Sequence, residues 1–277
     1  MHSILITGIS SGIGLACANL YAGRGWDVTG TVRDASKRRA GLDHRVALEQ
    51  LDLAVPGSAL ALADRALAGA GCPDVLLSNA GVLQFGALED VTAEQLERIF
   101  QVNLFGQLEL IRGLLPAMRA RRSGVIANVT SLGGTMTFPF FSAYNSTKWA
   151  LEGASEGLWH ELKPFGVRVK AIEPGFVETA IWGKALPDAQ ANDDAYGGSE
   201  AYRPYLREMR RFEESIKDRT TPEVCAEEIA AAIADESDRL RYPVAAYARP
   251  IVRARRALGG QRMMRFFHKR WMGPSAG

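Results

Sequence analysis

Short apolar runs recur along the chain, and each ends in a glycine or polar residue just before a stretch of helical periodicity. They cover residues 3 to 7, Asp27 to Thr31, Val46 to Leu51, Asp74 to Ser78, Gly124 to Thr130 and Val167 to Ile172. Helical patterns lie between them: Leu15 to Tyr21, Ala59 to Ala70, a long run capped by Thr92 and reaching about Arg121, and Tyr144 to Leu162. Runs this short read as buried strands, and connections of crossover length make neighbouring strands parallel. The pattern therefore predicts an α/β protein built on a doubly wound parallel sheet with helices on both faces.

At 277 residues, with no Pro/Gly/Ser-rich linker, the chain reads as a single domain spanning 1–277. Hydrophobic residues make up 47% and charged residues 23%, which excludes wholesale disorder and leaves a core of ordinary size. A net charge of +2 gives no overall case for nucleic acid. Cys17, Cys72 and Cys225 have neither the spacing of a metal site nor that of a disulfide framework. With no signal peptide and no run of membrane-spanning length, the expectation is a soluble, cytoplasmic protein without a metal.

The first strand runs into Gly8, Gly12 and Gly14, with Ser10 and Ser11 between them, and then into a helix. Such a turn lets backbone approach a pyrophosphate, whose charge the helix N-terminus attracts. The second strand ends at Thr31-Val32-Arg33-Asp34, where dinucleotide folds place the residue that reads the adenosine ribose. Arg33 there pairs with a 2′-phosphate, so NADP(H) is the preferred cofactor. Asp34, one residue on, leaves NAD(H) open.

Further strand ends deliver Asp52, then Asn79-Ala80-Gly81, then Ser131 and Pro174-Gly175 to one edge of the sheet. Asn103 stands inside a helical pattern that it does not favour. Tyr144 and Lys148 are four apart, one turn of a common helix. An ammonium roughly 4 Å from a phenol, at an effective dielectric near 20, favours the phenolate by about 4 kcal/mol. From an ordinary value of about 10, that lowers the phenol pKa by up to about 3 units. A phenol tuned in this way is a general acid/base for a carbonyl/alcohol pair, and Ser131 can hold the same oxygen.

Taken in order, Thr7-Gly8-x3-Gly12-Ile13-Gly14, Asp52, Asn79-Ala80-Gly81, Asn103, Ser131, Tyr144-x3-Lys148 and Pro174-Gly175 resemble the short-chain dehydrogenase/reductase family. The resemblance covers residues 3 to 180 and extends plausibly to 245. It implies a Rossmann-type sheet of about seven strands, the last near Arg241 to Val244. It also implies a catalytic set of Asn103, Ser131, Tyr144 and Lys148. Tyr144 would be the general acid/base and Lys148 would lower its pKa and bind the nicotinamide ribose. Ser131 would orient the substrate oxygen, and Asn103 would position a relay water. Gly8, Ser10, Ser11, Gly12, Ile13, Gly14, Arg33, Asp52, Leu53, Asn79, Ala80, Gly81, Pro174, Gly175, Val177 and Thr179 would join Tyr144 and Lys148 in holding the cofactor. Ser78 departs from the pattern, standing where the family more often has a second Asn. Arg33 matches the NADP-preferring subgroup. Glu161 to Val169, with the C-terminal extension, resembles the branch of hydroxysteroid and retinol dehydrogenases. The family also implies a homodimer or homotetramer.

Residues 180 to 216 break the alternation with Ile181, Trp182, Tyr196, Tyr202, Tyr205, Met209 and Phe212, and read as a substrate lid. Leu83, Phe85, Phe138, Phe140 and Phe141 are candidates for the same apolar pocket. The expected activity is that of a carbonyl reductase, equivalently a secondary-alcohol dehydrogenase, acting on a small apolar or aromatic substrate. An NADP(H)-sensing regulator without turnover and a sugar epimerase or dehydratase are the alternatives. An intact relay argues against the first and an apolar lid against the second. Residues 249 to 277 form a basic extension, with eight Arg or Lys and no acid between 249 and 270, and Met263, Phe267 and Trp271 at i, i+4, i+8. Packing of that stripe on the lid or a neighbouring subunit is preferred over a helix lying on an anionic membrane.

Overall fold

The computed structural model describes residues 2–36, 39–181 and 199–272. Seven strands form one sheet: β1 (Ser3–Ile6), β2 (Asp27–Val32), β3 (Ala47–Gln50), β4 (Val75–Ser78), β5 (Gly124–Val129), β6 (Val167–Pro174) and β7 (Arg241–Val244). Their order is β3-β2-β1-β4-β5-β6-β7 and every pairing is parallel. The order reverses at β1, which pairs with both β2 and β4, so a crevice opens beyond the C-terminal ends of β1 and β4.

Alternation along each strand divides the core in two. Ile4, Ile6, Val75, Leu77, Val125 and Ala127 face α1 (Gly12–Gly23) and a helix at Pro222–Ala234. Leu5, Leu76 and Ile126 face α2 (Ser58–Ala68), α4 (Gly106–Arg121) and the end of α5 (Ser142–Leu162). Both faces of the sheet are thus covered, which is why its strands read as continuous apolar runs.

The run expected as one helix from Thr92 is divided. Thr92 caps α3 (Ala93–Phe100) with a reciprocal capping box to Gln95, a π-helical turn occupies Gln101–Phe105, and α4 follows. Asn103 lies inside that π turn, which accounts for an Asn at a position where a regular helix disfavours it. The strands match expectation to within a residue or two, with β6 running on through Pro174.

Beyond β6, α6 (Arg203–Ser215) covers the cleft, and α7 (Pro222–Ala234) returns to the sheet. The basic tail forms two helices, α8 (Ala248–Leu258) and α9 (Gly260–Trp271), broken at Gly259, whose φ of 79 ends the first. Met263 is buried and Phe267 half-buried against Phe138 and the α6 region, so that part of the apolar stripe packs on the molecule itself. Trp182 and Tyr196 of the expected lid lie outside the described residues.

Candidate active site

The glycine turn is held from beneath by β4. Thr7 is fully buried, and its Oγ1 accepts from the backbone N–H of both Asn79 and Ala80, each at 2.9 Å. Asn79 returns the contact, donating Nδ2 to the carbonyls of Thr7 at 2.9 Å and Gly8 at 3.2 Å. Asn79 is therefore a brace for the turn as well as part of the crevice wall. A Cβ on Gly14 would lie 2.3 Å from the Gly8 carbonyl oxygen and 2.6 Å from Asn79 Nδ2, so only glycine permits this close approach. Gly12, at φ 57, brings Thr179 against the turn, 2.9 Å from where its own Cβ would be. Ser11 precedes α1 in extended conformation without a side-chain cap, and the first turn of α1 carries no acid. Its N–H groups are thus left for an anion.

Arg33 follows the last residue of β2, is exposed, and makes no hydrogen bond or ion pair among the described residues. Asp34 is engaged: its Oδ1 accepts from Ser36 N at 3.1 Å and Oγ at 2.5 Å. Asp52 accepts from the backbone N–H of Ala54 at 3.0 Å. The side chains of Leu53 and Val177 are buried in the two cores, and Ile13 packs against one of them, so these residues can offer a ligand only backbone. Gly175 donates its N–H to Val244 and, with Pro174, joins β6 to the loop after β7.

Ser131 leaves β5 extended, and its Oγ accepts from Gly133 N at 2.9 Å, so its hydroxyl proton is available to the Tyr144 phenol. A Cβ on Gly133 would stand 3.3 Å from both Ser131 Oγ and Tyr144 Cε1, so the two side chains converge on one small space. The Tyr144 phenol hydrogen-bonds Ser131, which lowers its pKa, but burial outweighs this and the net displacement is upward. Lys148 Nζ donates to the Val129 carbonyl at 2.9 Å and lies 5.9 Å from the Tyr144 ring centroid. The depression expected from the Lys148 cation is therefore not the dominant effect in this conformation. Lys148 itself is pushed down to about 8 by burial, with Glu152, one turn further along α5, opposing the shift.

Asn103, fully buried, accepts from Val82 N at 2.8 Å and donates to Val82 O at 2.8 Å and Thr147 Oγ1 at 3.2 Å. Its Oδ1 and Lys148 Nζ both approach Gly81, at 3.3 and 3.7 Å from an ideal Cβ there. The structure thus brings Gly81, Asn103 and Lys148 together, with Tyr144 on the same helix as Lys148.

Gln107, Glu152 and Glu173 in this region carried no sequence signal. Ser78 donates to buried Gln107, whose Nε2 donates to Ala80 O at 2.6 Å, so the unusual Ser78 acquires a partner from α4. Behind Lys148, Arg241 Nε donates to Glu152 at 2.9 Å, its NH2 group donates to Glu156 at 2.6 Å, and buried Glu173 lies 3.9 Å away. Burial, then the Glu152 charge, push Glu173 up to about 7.

An aromatic pocket of about 30 Å³ sits beside Tyr144 under α6, lined by Phe85, Phe138, Phe141, Phe176, Met209 and Phe212 among others. The Phe141 and Tyr144 rings are 6.5 Å apart. Of the remaining candidates, Leu83, Phe140, Tyr202 and Tyr205 pack in the surrounding cluster. Phe140 holds φ 65, uncommon for a bulky side chain, with its carbonyl accepting from Gly86 N at 2.8 Å.

Residues 2–190 match the family model described as short chain dehydrogenase. An uncharacterized oxidoreductase of Schizosaccharomyces pombe is 39% identical over 206 residues, covering 73% of this chain and 83% of its own. Human 17-beta-hydroxysteroid dehydrogenase type 1 is 33% identical over 265 residues, covering 91% of this chain and 80% of its own. Among solved structures, a short-chain dehydrogenase from Streptomyces avermitilis superposes with a TM-score of 0.80 at 32% identity, covering 96% of each chain. One from Sphingobium yanoikuyae in complex with NADPH gives 0.72 at 27% identity, covering 96% of this chain and 95% of that one. With its parallel seven-stranded sheet and the ordered set from the glycine turn to Tyr144 and Lys148, this chain belongs to the short-chain dehydrogenase family of oxidoreductases.

Proposed function

We propose that the protein is an NADPH-preferring reductase of apolar or aromatic carbonyl compounds, run in reverse as a secondary-alcohol dehydrogenase. The observation that carries this reading is the convergence of Ser131 Oγ and the Tyr144 ring on one space beside an aromatic pocket. The glycine turn fits a dinucleotide, since any side chain at Gly14 would fill the approach that a pyrophosphate needs. The bound nicotinamide supplies the hydride.

The remaining chemistry belongs to the chain. Ser131, its lone pair taken by Gly133 N, donates its proton to the substrate oxygen and orients it. Tyr144, kept neutral by burial, donates the phenolic proton to that oxygen as hydride reaches the carbon. A neutral phenol is the form required for reduction. Lys148 and Asn103, gathered at Gly81, hold the ribose side and the path by which Tyr144 is reprotonated. Arg33 favours the 2′-phosphate, because Asp34 is already committed to Ser36. The aromatic lining under α6 supports an apolar group on the substrate. NADPH bound to the Sphingobium relative is consistent with this preference.

The test is nicotinamide absorbance decay with NADPH and with NADH against a panel of aliphatic, aromatic, steroid and sugar ketones. Tyr144→Phe should retain dinucleotide binding and lose turnover by about 10²- to 10⁴-fold. A variant with unimpaired turnover would overturn the mechanism.

A further inference from the structure

Met263 and Phe267 of α9 pack on the molecule, but the opposite flank of the same helix has no partner among the described residues. Arg262, Arg265 and Lys269 recur at helical spacing on that flank, all exposed and without an ion pair among the described residues. Phe266 stands among them with 61% of its surface accessible. Leu258, at the end of α8, is 48% accessible, and Met264 on the neighbouring flank 53%. No Asp or Glu occurs between Arg249 and Arg270. Isolated exposed cations are ordinary surface, and so is a single exposed apolar side chain. Interleaved with no acidic residue on the same helix, they form a surface that is both cationic and apolar.

A cavity of about 540 Å³ opens between α9 and the first turns of α5, bounded by Ser142, Ser146, Trp149, Met264 and His268. It shares Phe138 with the aromatic pocket next to Tyr144. Phe138 in turn contacts Phe267 on the inner face of α9, their centroids 6.3 Å apart. The helix that carries the exposed flank therefore borders a cavity separated from the aromatic pocket by the Phe138 ring.

We infer that this flank of α9 docks on an anionic lipid bilayer, with Arg262, Arg265 and Lys269 against the headgroups and Phe266 in the interface. A second copy of the chain is disfavoured as occupant, because two-fold association would set the cationic face against itself. Nucleic acid would use the charge but give Phe266 and Leu258 no reason to be exposed together, whereas the acyl boundary accommodates both. Among the described residues no helix is long and apolar enough to cross a membrane, so attachment is peripheral.

Sedimentation of the full chain with vesicles tests this, comparing phosphatidylcholine alone with an equal mixture of phosphatidylcholine and phosphatidylglycerol at low and high salt. The expected result is partition onto the anionic vesicles only, reversed by salt. Each cation near such a surface contributes about fivefold, so the combined Arg262→Glu, Arg265→Glu and Lys269→Glu variant should lose at least about a hundredfold. Phe266→Ser should lose roughly tenfold. Dinucleotide affinity and thermal unfolding, measured alongside, should be unchanged in both variants. Absence of binding to anionic vesicles at low salt overturns the inference, as does equal binding by the charge-reversed protein. Loss of a wild-type oligomer in that variant without vesicle binding overturns it in favour of a second copy, and RNA binding without vesicle binding overturns it in favour of nucleic acid.

Discussion

Replacing Thr7 by Val keeps the shape of a fully buried side chain and removes one oxygen. That oxygen is the acceptor for two backbone donors, Asn79 N and Ala80 N, each at 2.9 Å. A methyl group in its place leaves both donors facing apolar surface, at about 1 to 3 kcal/mol each. Asn79 and Ala80 are half-buried, so the lower part of that range applies and the sum is about 2 to 3 kcal/mol. For a chain of this length the melting temperature should fall by roughly 5 °C. The same donors belong to the segment whose Asn79 side chain holds the carbonyls of Thr7 and Gly8. Relaxation there displaces the glycine turn, and NADPH affinity should weaken about tenfold. Thr7→Ser retains the hydroxyl and should recover most of both losses. Thermal unfolding and fluorescence titration with NADPH read the two effects separately. A Thr7→Val protein that melts and binds like wild type would refute the claim that this hydroxyl latches the turn to β4.

Other consequences can be measured independently. Gly14→Ala should abolish dinucleotide binding while leaving most secondary structure intact, by titration and circular dichroism, because its Cβ would meet the Gly8 carbonyl oxygen at 2.3 Å. Arg33→Glu should raise KM for NADPH at least about tenfold and leave KM for NADH nearly unchanged, since a repelled 2′-phosphate exists only in the former. Glu173, raised to about 7 in the fold, binds a proton between roughly pH 4.5 and 7 that the unfolded chain has released. Stability therefore falls as pH rises through that window, by up to about 3 kcal/mol, and Glu173→Gln should flatten the fall in melting temperature between pH 5 and pH 8. Lys148, lowered to about 8, acts in a separate window, adding stability as pH rises from about 8 towards 10.5.

Most of the frame was legible because strand and helix leave different periods in the chain, and because polar residues at strand ends interrupt apolar runs. Ser131, Asn79 and Asp52 stand out for that reason. What escaped depends on contacts between distant segments. Arg241 reaches Glu152 from 89 residues away, and nothing in either neighbourhood announces the pairing. The direction of the Tyr144 shift escaped as well, since it depends on where Lys148 Nζ points, and a spacing of four gives the turn but not the rotamer. Arg33 and Asp34 are neighbours that the sequence does not separate, and the Ser36 bonds account for only one Asp34 oxygen. The tail was legible as amphipathic, yet only packing separates the flank of α9 that is covered from the one that is not.

The π turn at Gln101–Phe105 makes this part of the chain a counting device. It holds one residue more than a regular helix would use over the same rise, and that residue sets the phase of all of α4. Upstream, Asn103 is fastened to Val82; downstream, Gln107 reaches Ser78 and Ala80. Winding the same residues as a regular helix, without the wide turn, would turn α4 by about 100° relative to α3. Gln107 would then swing off the strand end it joins, and Leu110 and Leu114 would leave the core face they fill. The wide turn thus lets the chain carry one extra residue beside Asn103 while both flanking helices keep their register.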